Sequence, residues 1–122
     1  MAKQSINFEP QVLDLVLYAG DGANFRLRVT DTASQPVNLT GTMRAQVRQD
    51  RDSVDTPDAV FNIDLTESAE GLAVLTLTGE QTQVLAPLDS YQGVWDLEWT
   101  PEGDEPRTIC QGKVECLQDV SH

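Results

Sequence analysis

Hydrophobic and polar residues alternate with a period of two through most of this chain, the signature of strands that bury one face. Leu13, Leu15 and Leu17 alternate with Asp14 and Val16, and the run stops at the turn signal Gly20-Asp21-Gly22. Phe25, Leu27 and Val29 alternate with Arg26, Arg28 and Thr30. After a polar turn at 31–36 and the link Val37-Asn38-Leu39-Thr40-Gly41, Met43, Ala45 and Val47 alternate with Arg44, Gln46 and Arg48. Phe61, Ile63 and Leu65 predict a fourth strand, and Ala73, Leu75 and Leu77 a fifth, joined by a hairpin over 67–71.

One segment breaks the period. Thr78 and Gln81 stand in capping-box spacing, Glu80 suits a helix N-terminus, and Val84-Leu85 would seal a short helix onto the core before Ala86-Pro87 ends it. The sixth strand, Tyr91 to Thr100, carries both tryptophans. Tyr91, Trp95, Leu97 and Trp99 share the core parity, with Asp96 and Glu98 on the other face. In the last strand Cys110, Gly112, Val114 and Cys116 point inward, and Gly112 is a candidate bulge.

Seven short strands with regular turns predict an all-β fold, an antiparallel immunoglobulin-like β-sandwich of about seven strands with one short helix. A small closed barrel is the alternative. Residues 1–10 read as an N-terminal arm and 11–122 as one sandwich domain. In immunoglobulin order the third, sixth and seventh strands share a sheet. Arg44 and Arg48 then lie across from Asp96 and Glu98, and Tyr91 is placed like the corner tyrosine of such sandwiches.

Charge narrows the function. Twenty acidic against eight basic residues give a net charge of -12. Such a surface repels nucleic acid and anionic membranes, so neither is expected as a partner. The start MAKQSINFEP has no apolar core of a signal peptide, and no apolar run approaches the roughly 20 residues of a membrane helix. Synthesis and folding in a cytoplasm are expected.

Candidate chemistry is sparse. Cys110 and Cys116, six residues apart on one strand, would lie roughly 20 Å from each other, so free buried thiols are expected. The only histidine is His122, which disfavours zinc and histidine-based catalysis. Loop 49–58 holds Asp50, Asp52, Asp55 and Asp58 but lacks the central Gly and terminal Glu of a hand-type calcium loop. Asp96 and Glu98 are neighbours on one exposed face and do not bracket a substrate. No metal, no cofactor and no enzymatic activity are expected.

A family resemblance enters on several segments taken together. They are Gly20-Asp21 before Phe25-Arg26-Leu27, and Pro36-Val37-Asn38-Leu39-Thr40-Gly41 leading into Met43–Arg48. After these come the L-T-L-T strand with its helix, Trp95-Asp96-Leu97-Glu98, and Gly112-Lys113-Val114 closing on Asp119-Val120-Ser121. From about Gln11 onward this pattern resembles the β-sandwich domain of tailed-bacteriophage tail and baseplate proteins, such as the N-terminal domain of upper baseplate proteins. The resemblance implies a non-enzymatic virion structural protein, an adaptor or tail- and baseplate-associated component present in multiple copies. Its partners would be other virion proteins: tail, baseplate or fibre components. It would be made in the host cytoplasm and incorporated into the virion, in the tail rather than the head. Family members often carry the domain ahead of a fibre or receptor-binding region. Here the chain ends at His122, so the adaptor role is expected over direct host binding. A head-decorating or head-to-tail connecting protein is a rival. From another class, a cellular immunoglobulin-like module or a carbohydrate-binding module is the alternative, the latter needing exposed aromatics on a sheet face. The residues expected to make protein contacts are Ile6 and Phe8 of the arm and Asp50, Arg51 and Asp52 of the loop.

Overall fold

The computed structural model describes residues 11–50 and 56–118. Nine strands and one short helix run in the order β1 (Gln11–Val12), β2 (Leu15–Tyr18), β3 (Ala23–Arg28), β4 (Thr42–Arg48), β5 (Ala59–Val60), β6 (Asn62–Asp64), β7 (Leu72–Leu77), α1 (Gly79–Leu85), β8 (Tyr91–Thr100) and β9 (Arg107–Leu117). They form two sheets. The larger has the order β1-β9-β8-β4-β5, with β2 also on β9; the smaller has the order β3-β7-β6. The fold is an all-β sandwich, and the closed barrel is excluded. β4, β8 and β9, the third, sixth and seventh of the alternating runs, lie together as immunoglobulin order requires.

The nine strands are seven alternating runs, two of them broken. The first run is broken at Leu13-Asp14. Both halves keep the same register on β9, Gln11 with Cys110 and Leu15 with Val114, but they run parallel to it. The expectation of a purely antiparallel sandwich is thus corrected at this edge. At the break the Lys113 N–H donates to the Asp14 carboxylate at 2.9 Å, in place of a main-chain carbonyl. The fourth run is broken at Phe61. β5 pairs with β4 in the large sheet, whereas β6 pairs with β7 in the small one. Phe61, 4% exposed, sits at the crossing and meets Phe25 edge-on at 6.2 Å and Trp95 at 5.8 Å. The strand expected over 61–65 is β6, and the chain enters it from the other sheet at Phe61, so that one ring packs against both.

The core is continuous between the sheets, with Ala45, Val47, Leu75, Leu77, Leu97 and Cys116 among its fully buried members. Trp95, Leu97 and Trp99 are buried, and Tyr91 is half-buried. Both indoles donate at 2.7 Å to main-chain carbonyls, Trp95 to Leu13 and Trp99 to Thr40, so neither buried N–H is orphaned. Leu13 differs from expectation: its side chain is 40% exposed, and it is its carbonyl that meets the core ring.

The break in β9 is at Ile109, not Gly112. Leu97 pairs with Cys110 and Glu98 with Thr108, which leaves Ile109 as the extra residue. That is why Ile109 and Cys110, adjacent in sequence, are both buried. Gly112 answers a different need. A Cβ there would stand 2.1 Å from the Leu13 carbonyl oxygen, so glycine lets the edge run approach Trp95.

The helix begins with the expected reciprocal capping box of Thr78 and Gln81. Its inward residues are Thr82 and Leu85, whereas Val84, expected to pack inward, is 68% exposed. The Thr82 hydroxyl accepts the Gly20 N–H at 3.1 Å, and its own proton lies between the Asp21 and Gly79 carbonyls at 2.9 and 3.0 Å. One buried hydroxyl thereby fastens the helix onto the turn that follows β2.

Candidate protein interface

The outer face of β4 and β8 is mostly polar. Arg44 lies opposite Glu98 in the ladder and contacts it at 3.1 Å; with both side chains partly in water, this fixes register more than stability. The other expected pair is replaced. Arg48 lies opposite Val94 and donates to Gln46, and it is Gln46 that lies opposite Asp96. Tyr91 is not a corner tyrosine, since its hydroxyl donates to the Asp58 carboxylate at 2.6 Å and not to nearby main chain. Partial burial and that carboxylate together push its pKa well above the ordinary tyrosine value. The ring also lies over Gly93, where a Cβ would fall 2.4 Å from the Arg48 carbonyl oxygen and 2.6 Å from the Tyr91 hydroxyl.

Cys110 and Cys116 are free and buried. Burial raises both thiol pKa values, although at Cys110 a hydrogen bond from the Gln111 N–H acts in the opposite sense. Their environment is that of inert core residues, not of nucleophiles. Among the described residues no three of His, Cys, Asp and Glu converge as a metal cluster would. No described helix is long and apolar enough to cross a membrane. Burial of Trp95 and Trp99 removes them as a sugar-stacking platform.

Of the expected contact residues, Ile6, Phe8, Arg51 and Asp52 lie outside the described residues. Asp50 is exposed, two residues beyond the end of β4. A different feature stands out at the margin of the large sheet. Among the described residues the exposed large hydrophobics are Val12 (73%), Leu13, Val16 (53%), Tyr18 (49%), Val60, Val84 and Leu88, and the first four fall within Gln11–Tyr18.

Among the described residues that run is an edge, and the other three sheet edges are protected where it is not. β3 alternates exposed Arg26 and Arg28 along its length. β6 has three residues and ends on Asp64, whose carboxylate pKa is lowered by hydrogen bonds from Thr66. β5 has two residues, and the Val60 carbonyl is capped by the Gln81 side chain at 2.8 Å. Charge, shortness and capping are the usual ways of blunting an edge. Along Gln11–Tyr18 the only charged residue is Asp14, already engaged by Lys113. Beside this edge the sheets part into a mainly apolar cleft of about 390 Å³, lined by residues that include Leu13, Leu27, Val29, Met43 and Ile109.

A signal for the edge was present in the sequence. In QVLDLVLY the outward positions Val12, Val16 and Tyr18 are apolar as well as the inward leucines. A strand with one solvated face would not need that. No family model and no curated protein matches the chain.

Proposed function

We propose that this chain is a non-enzymatic structural protein of a tailed-bacteriophage particle, an adaptor at the tail or baseplate. On this reading it works through protein–protein contacts, made in several copies and without cofactor, nucleic acid or membrane. One observation carries the contact mechanism: among the described residues the apolar edge Gln11–Tyr18 is left unprotected while the other sheet edges are blunted. An exposed edge of this kind is a template for another strand, and strand addition supplies affinity through main-chain hydrogen bonds without a chemical pocket. The resemblance of the turn-and-strand pattern to tail and baseplate sandwiches supplies the setting. A net charge of -12 suits an exterior part that must avoid packaged nucleic acid.

The test is mass spectrometry and immunogold labelling of purified particles, made with the wild-type chain and with a Val16→Arg/Tyr18→Lys double variant. Both substitutions fall on exposed side chains, so circular dichroism should be unchanged. The expected result is wild-type protein on tails, with the variant depleted at least about tenfold. Absence from particles overturns the virion reading, labelling of heads overturns the tail placement, and undiminished incorporation of the variant overturns the role of the edge.

A further inference from the structure

We infer that the partner taken up by the Gln11–Tyr18 edge is a second copy of this chain, paired antiparallel about a two-fold axis at Val16. The inference rests on the reading of this edge as the contact surface and names its occupant.

Main-chain geometry comes first. Leu13 and Ala19 donate their N–H groups to Gln111 and Leu117, and Leu15 and Leu17 are in register with Val114 and Cys116. In a parallel ladder one strand's alternate residues bond the same neighbour, so the N–H and C=O of Val16 and Tyr18 face away from β9. Among the described residues no strand pairs with that side. Antiparallel pairing centred on Val16 lets the two Val16 residues exchange both main-chain bonds. Leu15 then lies opposite Leu17 of the second copy, so inward side chains stay inward.

Side chains select this register. It sets Asp14, the run's single charge, opposite Tyr18, whose phenol is a donor. It also keeps the two Asp14 residues about 13 Å apart along the ladder, beyond a Debye length of about 10 Å at 0.1 M salt. Sliding the copies until Asp14 opposes Asp14 would set like charges in direct contact. The half-exposed Val16 side chains meet each other on the outer face, and the two large sheets become one. Both copies carry -12, so their residual repulsion is screened by salt and pairing strengthens as salt is added. A ladder this short makes a small interface, which suits a component held at high local concentration with other copies in an assembly.

The experiment is sedimentation equilibrium of the full chain at 50 and 500 mM NaCl, with wild type, Val16→Pro, Val16→Cys and Val12→Cys. Proline at Val16 removes an N–H that β9 does not use and is tolerated on an edge, as unchanged circular dichroism would verify. Expected are a wild-type dimer of the 13.4 kDa chain, tighter at high salt, and a dissociation constant raised about tenfold or more by Val16→Pro. A short bismaleimide should link two copies through Val16→Cys and not through Val12→Cys, because the two Val12 positions lie about 26 Å apart in this register. A monomeric wild type, an unaffected Val16→Pro dimer, or equal linking at both positions overturns the inference. A chain that is monomeric yet found in particles overturns self-pairing alone and leaves the assembly role standing. A dimer absent from particles does the reverse.

Discussion

The indole of Trp95 donates to the Leu13 carbonyl at 2.7 Å, reaching across Gly112, its partner in the β8–β9 ladder. A core ring thereby holds the main chain of the edge run at the point where that run breaks. Trp95→Phe keeps most of the apolar ring but leaves the Leu13 carbonyl without its donor. Losing a partner at a buried site costs about 1–3 kcal/mol, and the smaller ring adds a cavity contribution. The expected outcome is a lower urea midpoint together with faster amide exchange confined at first to residues 11–14. Uniform acceleration of exchange across both sheets would show that the ring supports the core and not the edge.

This contact also marks how far the sequence could be read. Alternation revealed the seven runs, the tryptophan strand with its inward face, and the capped helix, because each is written in local periodicity or in a short spacing such as Thr78–Gln81. What escaped it depends on residues far apart in the chain. The parallel pairing of β2 with β9 joins positions about a hundred residues apart in sequence. Phe61 alternates correctly within its run, so period alone could not show that the chain changes sheets there. Tyr91 found Asp58 because β8 starts beside the end of the 49–58 loop, a proximity set by the sandwich. The edge was legible in part: its apolar outward positions Val12, Val16 and Tyr18 stand in QVLDLVLY, whereas the blunting of the other three edges follows only from the sheet order.

Thr82 is the one buried polar residue among those described, and its hydroxyl links α1 to the Gly20–Asp21 turn. Thr82→Val preserves shape and strands both the Gly20 N–H and the Asp21 carbonyl. Each stranded main-chain group costs about 1–3 kcal/mol where water cannot reach it and less where it can; Gly20 and Asp21 are exposed, which favours the lower end. A loss of about 1–2 kcal/mol in denaturant unfolding is expected. Thr82→Ser, which keeps the hydroxyl, should recover more than half of it. If serine is no better than valine, the methyl packing matters and the hydrogen bonds do not.

Tyr91 makes stability depend on alkaline pH in a definite sense. Its phenol is neutral in the folded protein well above the ordinary tyrosine value near 10, because partial burial and the Asp58 carboxylate both oppose the phenolate. In the unfolded chain it ionises at about 10. A group whose folded pKa is raised contributes stability that is complete below its unfolded pKa and is lost as pH climbs above it. The decline assigned to Tyr91 therefore begins near pH 10, at no more than about 1.4 kcal/mol per pH unit, and less because the ring is partly in water. Cys110 and Cys116, also raised by burial, act in the same direction from about pH 8.5. Tyr91→Phe separates the contributions. At pH 7 it removes one hydrogen bond to the exposed Asp58 and should cost about 1 kcal/mol or less. Urea midpoints measured from pH 7 to 11 should then converge above pH 10, the wild type falling more steeply than the variant. Parallel curves through pH 11 would show that the phenol ionises alike in both states and that Asp58 does not hold its proton.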